Sequence, residues 1–227
     1  MYLKVFVISL LVIQPFIGFG QERKLEVSID YSIGHSFRKS DKPSLSDPGP
    51  IIAHGINVRL KYMLNEQFGI VSGLGYNQFG ESINTSGLTF GPMIDPRIGF
   101  VNNTASSEIK HVYTFLSIPL LLNYSIIIAE KSGLDFQLGG AVNYLVGSRS
   151  IEKITYRNGT KERNAGNYEF DSKDLNFAGL FGVYYKGKLG ARSFFKAGPQ
   201  AEYFFTSISN TDGHYPYKIS INLGIGF

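Results

Sequence analysis

The chain has 227 residues, of which 22 are basic and 18 acidic, and it has no cysteine. The net charge of +4 is spread without a block of like sign, which argues against a nucleic-acid surface. Lack of cysteine excludes a disulfide scaffold or a thiolate metal site, and the length suits a single all-β domain.

Residues 1–20 read as a secretory signal peptide. Lys4 supplies a positive start, Val5 to Ile17 is almost wholly apolar, and Gly18 and Gly20 precede a cut ahead of Gln21. That apolar run is short for a membrane span, which needs about 20 residues. The exported domain is then residues 21–227.

Period-two alternation recurs from Leu25 onward, and a strand places alternate side chains on opposite faces. The first predicted strand is Leu25–Phe37, where Leu25, Val27, Ile29, Tyr31 and Ile33 alternate with polar residues. The second is Ile52–Leu64, with Ile56, Val58, Leu60 and Tyr62 opposing Asn57, Arg59 and Lys61. Asn65-Glu66-Gln67 makes a polar turn into the third, Phe68–Gly80. The fourth, His111–Ser125, has Leu116, Ile118, Leu120, Leu122 and Tyr124 on one face and a mixed face of Tyr113, Phe115, Pro119, Leu121 and Asn123. The fifth, sixth and seventh are Leu134–Val146, Asp174–Lys186 and Phe194–Ser207. The last is Tyr217–Phe227, where odd-numbered apolar residues alternate with Lys218, Ser220, Asn222, Gly224 and Gly226.

The predicted links alternate between long and short, the longest running from Glu81 to Lys110. Long links on one rim and short turns on the other, with an even strand count, predict an eight-stranded antiparallel up-and-down transmembrane β-barrel, all-β, with both termini periplasmic. The continuous apolar face carries Tyr31, Tyr62, Tyr76, Tyr124, Tyr144, Tyr185, Tyr203, Tyr217 and Phe227 near strand ends, as interfacial girdles do. It is read as meeting outer-membrane lipids. The other face carries Glu26, Asp30, Arg59, Lys61, Asp135, Asp174, Lys196, Glu202 and Lys218. These are read as a structural polar network in a lumen just wide enough for side chains. Phe227 is read as the end of the closing strand and as a signal engaged by barrel-assembly machinery. Pro119 cannot donate to a ladder and predicts a bulge or widened pairing near Ser117–Leu120.

The segment Tyr113-Thr-Phe-Leu-Ser-Ile-Pro-Leu-Leu-Leu-Asn-Tyr124 resembles the PorT-like outer-membrane β-barrel family of Bacteroidota. Glycine-rich strands such as Gly73-Leu-Gly-Tyr76 and the terminal Phe227 fit the same likeness. The resemblance implies an eight-stranded outer-membrane barrel and no assigned activity. The family's namesake takes part in a secretion system, which makes an envelope protein partner an expectation at family level alone.

No catalytic, cofactor or metal site is read from the residues. The four histidines, His35, His54, His111 and His214, lack metal-ligand spacing and fall near the long-link rim. No G-x-S-x-G elbow occurs, and Gly69, Gly73, Gly75 and Gly80 lack the lysine and helix that a phosphate loop requires. Asn158-Gly159 reads as a hairpin turn joining Ile151–Tyr156 to Lys161–Phe170, a protruding, mixed-charge extension. The expected role is structural or interactive, through the long links. The competing readings are a small-solute channel and a soluble periplasmic lipocalin-like barrel.

Overall fold

The computed structural model describes residues 25–40, 48–86, 94–95, 99–100, 104–156, 159–211 and 213–227. The signal-peptide reading of 1–20 lies outside them. In chain order the strands are β1 (Leu25–Ser40), β2 (Pro48–Gly49), β3 (Ile51–Met63), β4 (Phe68–Ser86), β5 (Ile94–Asp95) and β6 (Gly99–Phe100). They continue as β7 (Thr104–Ala129), β8 (Ser132–Tyr156), β9 (Lys161–Asn167), β10 (Leu175–Lys188), β11 (Phe194–Phe204) and β12 (His214–Gly226).

The sheet closes on itself. Antiparallel pairing runs β1–β3–β4–β7–β8–β10–β11–β12, and β12 returns to β1. The closing seam extends to Phe227, whose N–H donates to the Val27 carbonyl at 2.9 Å while its carbonyl accepts from the Val27 N–H at 3.1 Å. A closed sheet leaves no unpaired edge, which is what allows strands to sit in hydrocarbon.

One rim holds the short turns 64–67, 130–131 and 189–193, together with the start of β1 and the end of β12. The first turn forms because the Asn65 Oδ1 accepts from the Gln67 and Phe68 backbone N–H groups, at 2.9 and 2.7 Å. The opposite rim carries the longer links. Several strands overrun their predicted ends there: β4 continues to Ser86 and β7 begins at Thr104, so the link read as Glu81–Lys110 is shorter. The added residues are mostly polar, among them Ser82, Asn84, Ser107 and Glu108, and stay paired beyond the apolar band. The predicted protruding hairpin is present as the end of β8 paired with β9, from Arg149↔Asn167 to Thr155↔Lys161. Asn158 lies outside the described residues, and Gly159 has the positive φ of 84° that such a turn requires. β9 stops at Asn167, short of the predicted Phe170.

Alternation decides which side chains face out. On β3 the burial pattern is strictly alternating, with Ile52, Ile56, Val58, Leu60 and Tyr62 exposed and Ala53, Asn57, Arg59 and Lys61 buried. The same parity holds on β12, where Ile219, Ile221, Leu223 and Ile225 are exposed and Lys218, Ser220 and Asn222 are buried. Aromatics bound the exposed band at both ends. Phe68 and Tyr124 (5.0 Å) and Tyr185 and Phe195 (5.7 Å) pair near the short-turn rim. Phe37 and Tyr217 (5.0 Å) and Tyr203 and Phe205 (5.9 Å) pair near the other. Such girdles fit the headgroup regions of a bilayer.

Pro119 widens the pairing without a bulge at its own position. Between Ser72↔Leu120 and Gly75↔Ser117 the β4–β7 register is kept, yet no ladder pair joins Gly73–Leu74 to Ile118–Pro119. The missing proline N–H faces that gap, and the Ser72 hydroxyl donates to the Pro119 carbonyl at 2.8 Å. Gly73 adopts φ +155° there, and a Cβ at this position would lie 2.1 Å from the Val58 carbonyl oxygen. The β7–β8 ladder continues unbroken through Pro119↔Ala141, and its register shifts fall elsewhere, at Thr104–Ser106, Thr114–Phe115 and Ile127–Ala129.

Candidate functional site

Among the described residues, long polar and aromatic side chains from opposite walls converge in the lumen. Its contents form storeys along the barrel axis. Nearest the short-turn rim, Lys61 of β3 reaches Asp135 of β8, with Nζ 3.0 Å from Oδ2, and lies 3.8 Å from the Glu26 carboxylate of β1. Lys186 of β10 pairs with Glu26 across the lumen. Ser125 ties the set together by accepting from Lys61 at 3.0 Å and donating to Asp135 at 2.6 Å.

The next storey centres on Arg59. Its Nε lies 3.2 Å from Asp30 Oδ2, and Lys196 Nζ lies 2.7 Å from the same oxygen. The Arg59 Nη1 and Nη2 groups donate to Gln137 Oε1 (2.9 Å) and Gln200 Oε1 (2.7 Å), and the Tyr184 hydroxyl also donates to Gln200 (2.8 Å). Arg59 starts on β3 and Gln200 sits on β11, three strands away one way round the ring and five the other, so this guanidinium reaches across the lumen. Gly224 makes room: a Cβ there would fall 2.1 Å from Asp30 Oδ1. Buried ion pairs tolerate the loss of water only when further interactions compensate, and Arg59 has hydrogen bonds to Gln137 and Gln200 besides its contact with Asp30.

Above it, Glu202 and Lys218 are register partners on β11 and β12, both buried. Lys218 Nζ donates to Asn77 Oδ1 at 3.4 Å and sits 4.5 Å from the Phe79 ring centroid, a cation–π contact. Asn77 in turn donates to Asn57 (3.1 Å) and Ser117 (3.2 Å).

The following storey is apolar, which the sequence reading of a polar lumen did not include. Phe79 of β4, Phe115 of β7 and Phe204 of β11 are each fully buried. Their ring centroids lie 5.7, 4.9 and 5.2 Å apart, with edge-on or tilted planes. β4 and β11 are four strands apart both ways round, so Phe79 and Phe204 meet across the full width of the lumen. Val71, Leu121, Ala141, Ala178, Leu180 and Ile208 belong to the same cluster. A readable signal existed: Phe79, Phe115 and Phe204 stand at the inward parity of their strands.

At the mouth on the long-link rim, Arg38 pairs with buried Glu81 and lies 3.3 Å from His214 Nε2. Tyr168 and Phe170, in the segment leading to β10, fold over this storey. Tyr168 stacks near His111 at 4.1 Å, Phe170 packs on Tyr113 at 5.4 Å, and the Ser148 hydroxyl donates to the Tyr168 carbonyl.

Thus Glu26, Asp30, Arg59, Lys61, Asp135, Lys196, Glu202 and Lys218 all stand inside the ring. Asp174 does not. It is exposed one residue ahead of β10, where its carbonyl accepts from the Leu145 N–H at 2.8 Å. Its parity is the inward one, but it lies past the strand's end, where the wall no longer encloses it. The histidines do not converge: His54 meets Tyr31 on the outer face at 2.6 Å, whereas His111 points inward. Among the described residues no group of three or more His, Cys, Asp or Glu side chains is placed to hold a metal.

Residues 19–213 match the family model described as "Outer membrane protein beta-barrel domain". The chain belongs to this outer-membrane β-barrel family. The barrel therefore lies in the outer membrane, with its exposed apolar band against lipid. No curated protein sequence matches it significantly. Among solved structures it is similar to Ail, the attachment invasion locus protein of Yersinia pestis, at 16% identity over 89% of this chain and 98% of that one, with a TM-score of 0.35. It is also similar to Neisserial surface protein A, at 12% identity over 90% and 97%, TM-score 0.40. A third likeness is to OprG from Pseudomonas aeruginosa, at 12% identity over 91% and 96%, TM-score 0.44. Likenesses this loose carry no functional argument.

Proposed function

We propose that this outer-membrane protein is an eight-stranded, up-and-down barrel of the PorT-like kind found in Bacteroidota, exported by a cleaved signal peptide with both termini periplasmic. Its role is structural or interactive rather than catalytic or conductive. The long-link rim presents the β8–β9 hairpin and the polar ends of β4 and β7 outward, as a platform for an envelope or secretion partner.

The observation that carries this reading is the meeting of Phe79 and Phe204 across the lumen, above storeys that Arg59 and Lys218 also bridge. A barrel filled from wall to wall has its accessible chemistry on its rims. The charged interior and apolar exterior also favour this reading over a lipocalin-like barrel, which needs the reverse. Membrane fractionation and planar-bilayer recording of the purified, refolded protein test it. Recovery with the membrane and no steady current are expected. Release into the soluble periplasm would overturn the membrane assignment, and steady wild-type conductance would favour the channel.

A further inference from the structure

The storeys of the lumen differ in how they meet water. The three lower ones hold Arg59, Lys61, Lys186, Lys196 and Lys218 against Glu26, Asp30, Asp135 and Glu202 among the described residues. They also hold buried polar atoms without a protein hydrogen-bond partner: the hydroxyls of Ser32 and Ser220 and the Oδ1 of Asn222. Buried atoms of this kind are satisfied by water in a polar, enclosed setting. The lower end is open enough for Glu26 and Lys186 to keep 24% and 21% of their side-chain surface accessible. Water entering from the short-turn rim therefore meets a wettable path as far as Lys218.

The storey above gives water nothing to bind. Phe79, Phe115 and Phe204 are fully buried and belong to one buried apolar cluster with Ile208. An apolar constriction excludes water and, with it, hydrated ions. Above that storey the mouth turns polar again with Arg38, Glu81 and His111, under half-buried Tyr168 and Phe170.

We infer that the Phe79–Phe115–Phe204 cluster, and not the ion-pair storeys beneath it, is the barrier that keeps this barrel closed to small ions. The barrel is then a pore with a single dry seal. The five cations against four anions below the seal give any path opened through it a preference for small inorganic anions. This inference rests on the reading of the barrel as membrane-spanning and closed in its wild-type form.

The test compares three refolded proteins in planar bilayers under a potassium chloride gradient: wild type, Phe79→Ala with Phe204→Ala, and Arg59→Ala. Heat-shifted electrophoretic mobility establishes that each is folded. Where the double alanine variant does not fold, Phe115→Val with Phe204→Leu takes its place. The wild type is expected to be silent, and so is Arg59→Ala, since removing the central guanidinium leaves the seal intact. The phenylalanine variant is expected to give discrete current steps, with a reversal potential displaced toward that of chloride. Silence of the folded seal variant, or steps from Arg59→Ala, would overturn the inference while leaving the closed-barrel reading in place. Cation selectivity of the opened variant would overturn the charge argument. Steps from wild type would instead defeat the closed-barrel reading itself.

Discussion

At the level of single residues, the two faces of a strand impose opposite demands. Leu223 is 53% exposed on the outer face of β12, beside Tyr31 of β1 and Ala197 of β11. Replacing it by arginine places a charge in the hydrocarbon. Leu223→Arg is expected to cost about 2–4 kcal/mol in reversible refolding titrations. A neutral outcome would mean that this face meets water. Arg59 makes the complementary case on the inner face. Its loss leaves Asp30 buried with Lys196 as its remaining ion pair, and removes the donor that Gln137 and Gln200 share. Arg59→Ala is expected to lose about 3–5 kcal/mol, the cost of breaking a buried pair from one side. Adding Asp30→Asn is expected to recover part of that loss, because the stranded charge goes with it. Equal losses in the single and double variants would show that the Arg59–Asp30 contact does not set the energy.

At the level of elements, the extended β8–β9 hairpin lives by different rules, because it projects past the aromatic band that ends near Tyr144. β9 is exposed along its whole length and is held to β8 by its ladder. A side-chain tie reinforces it. The Tyr156 hydroxyl donates to Glu162 Oε2 at 2.7 Å, and Asn164 Nδ2 donates to Oε1 at 3.2 Å. The bond from Tyr156, then that from Asn164, holds the Glu162 carboxyl below its ordinary range, and the same bond to Glu162 holds the Tyr156 phenol above its own. A carboxyl whose value is lowered by folding contributes above the unfolded value and ceases to contribute as pH falls through the folded one. The tie therefore persists at neutral pH and is released only below the usual carboxylate range. In an NMR pH titration Glu162 is expected to have a midpoint below about 4.3, the ordinary glutamate value, and Tyr156→Phe is expected to raise it. An unchanged midpoint in that variant would remove the phenol as the cause.

The elements also show where sequence reading reached and where it stopped. Strand existence and facing were legible because burial on one side alternates with period two, as on β3 and β12. Strand ends were not, since polar strands such as the outer parts of β4 and β7 continue by backbone pairing after the apolar signal stops. Asp174 shows the opposite case: it has inward parity, yet β10 begins one residue later, at Leu175, so it stands outside the wall. The Phe79–Phe115–Phe204 cluster required knowing that β4 and β11 face each other, a long-range fact that period and composition do not carry. The same holds for Arg59, whose charge was legible as inward-facing but whose partners on β8, β10 and β11 were not.

For the whole molecule, closure is the organising event. Every ladder is antiparallel and local in sequence except the seam between β1 and β12, which joins Ser28↔Gly226 through Ser40↔His214. The seam brings β1 and β12 together, the pair of strands most distant in sequence, so it carries the largest loop-closure entropy. Phe227 sits at its end on the short-turn rim, with its ring 63% exposed toward the lipid side and its backbone bonded twice to Val27. The ring itself adds little packing, while the backbone bonds hold the seam. A substitution that keeps the backbone and removes the ring therefore separates two roles. Phe227→Ala is expected to refold in detergent with a stability within about 1 kcal/mol of wild type, as exposed sites commonly do. In cells the same variant is expected to accumulate less folded barrel in the outer membrane, if assembly machinery grips that aromatic. Equal losses in both settings would make Phe227 a packing residue of the seam. Unchanged yield in both would remove it as a recognition element, leaving closure to the β1–β12 ladder alone.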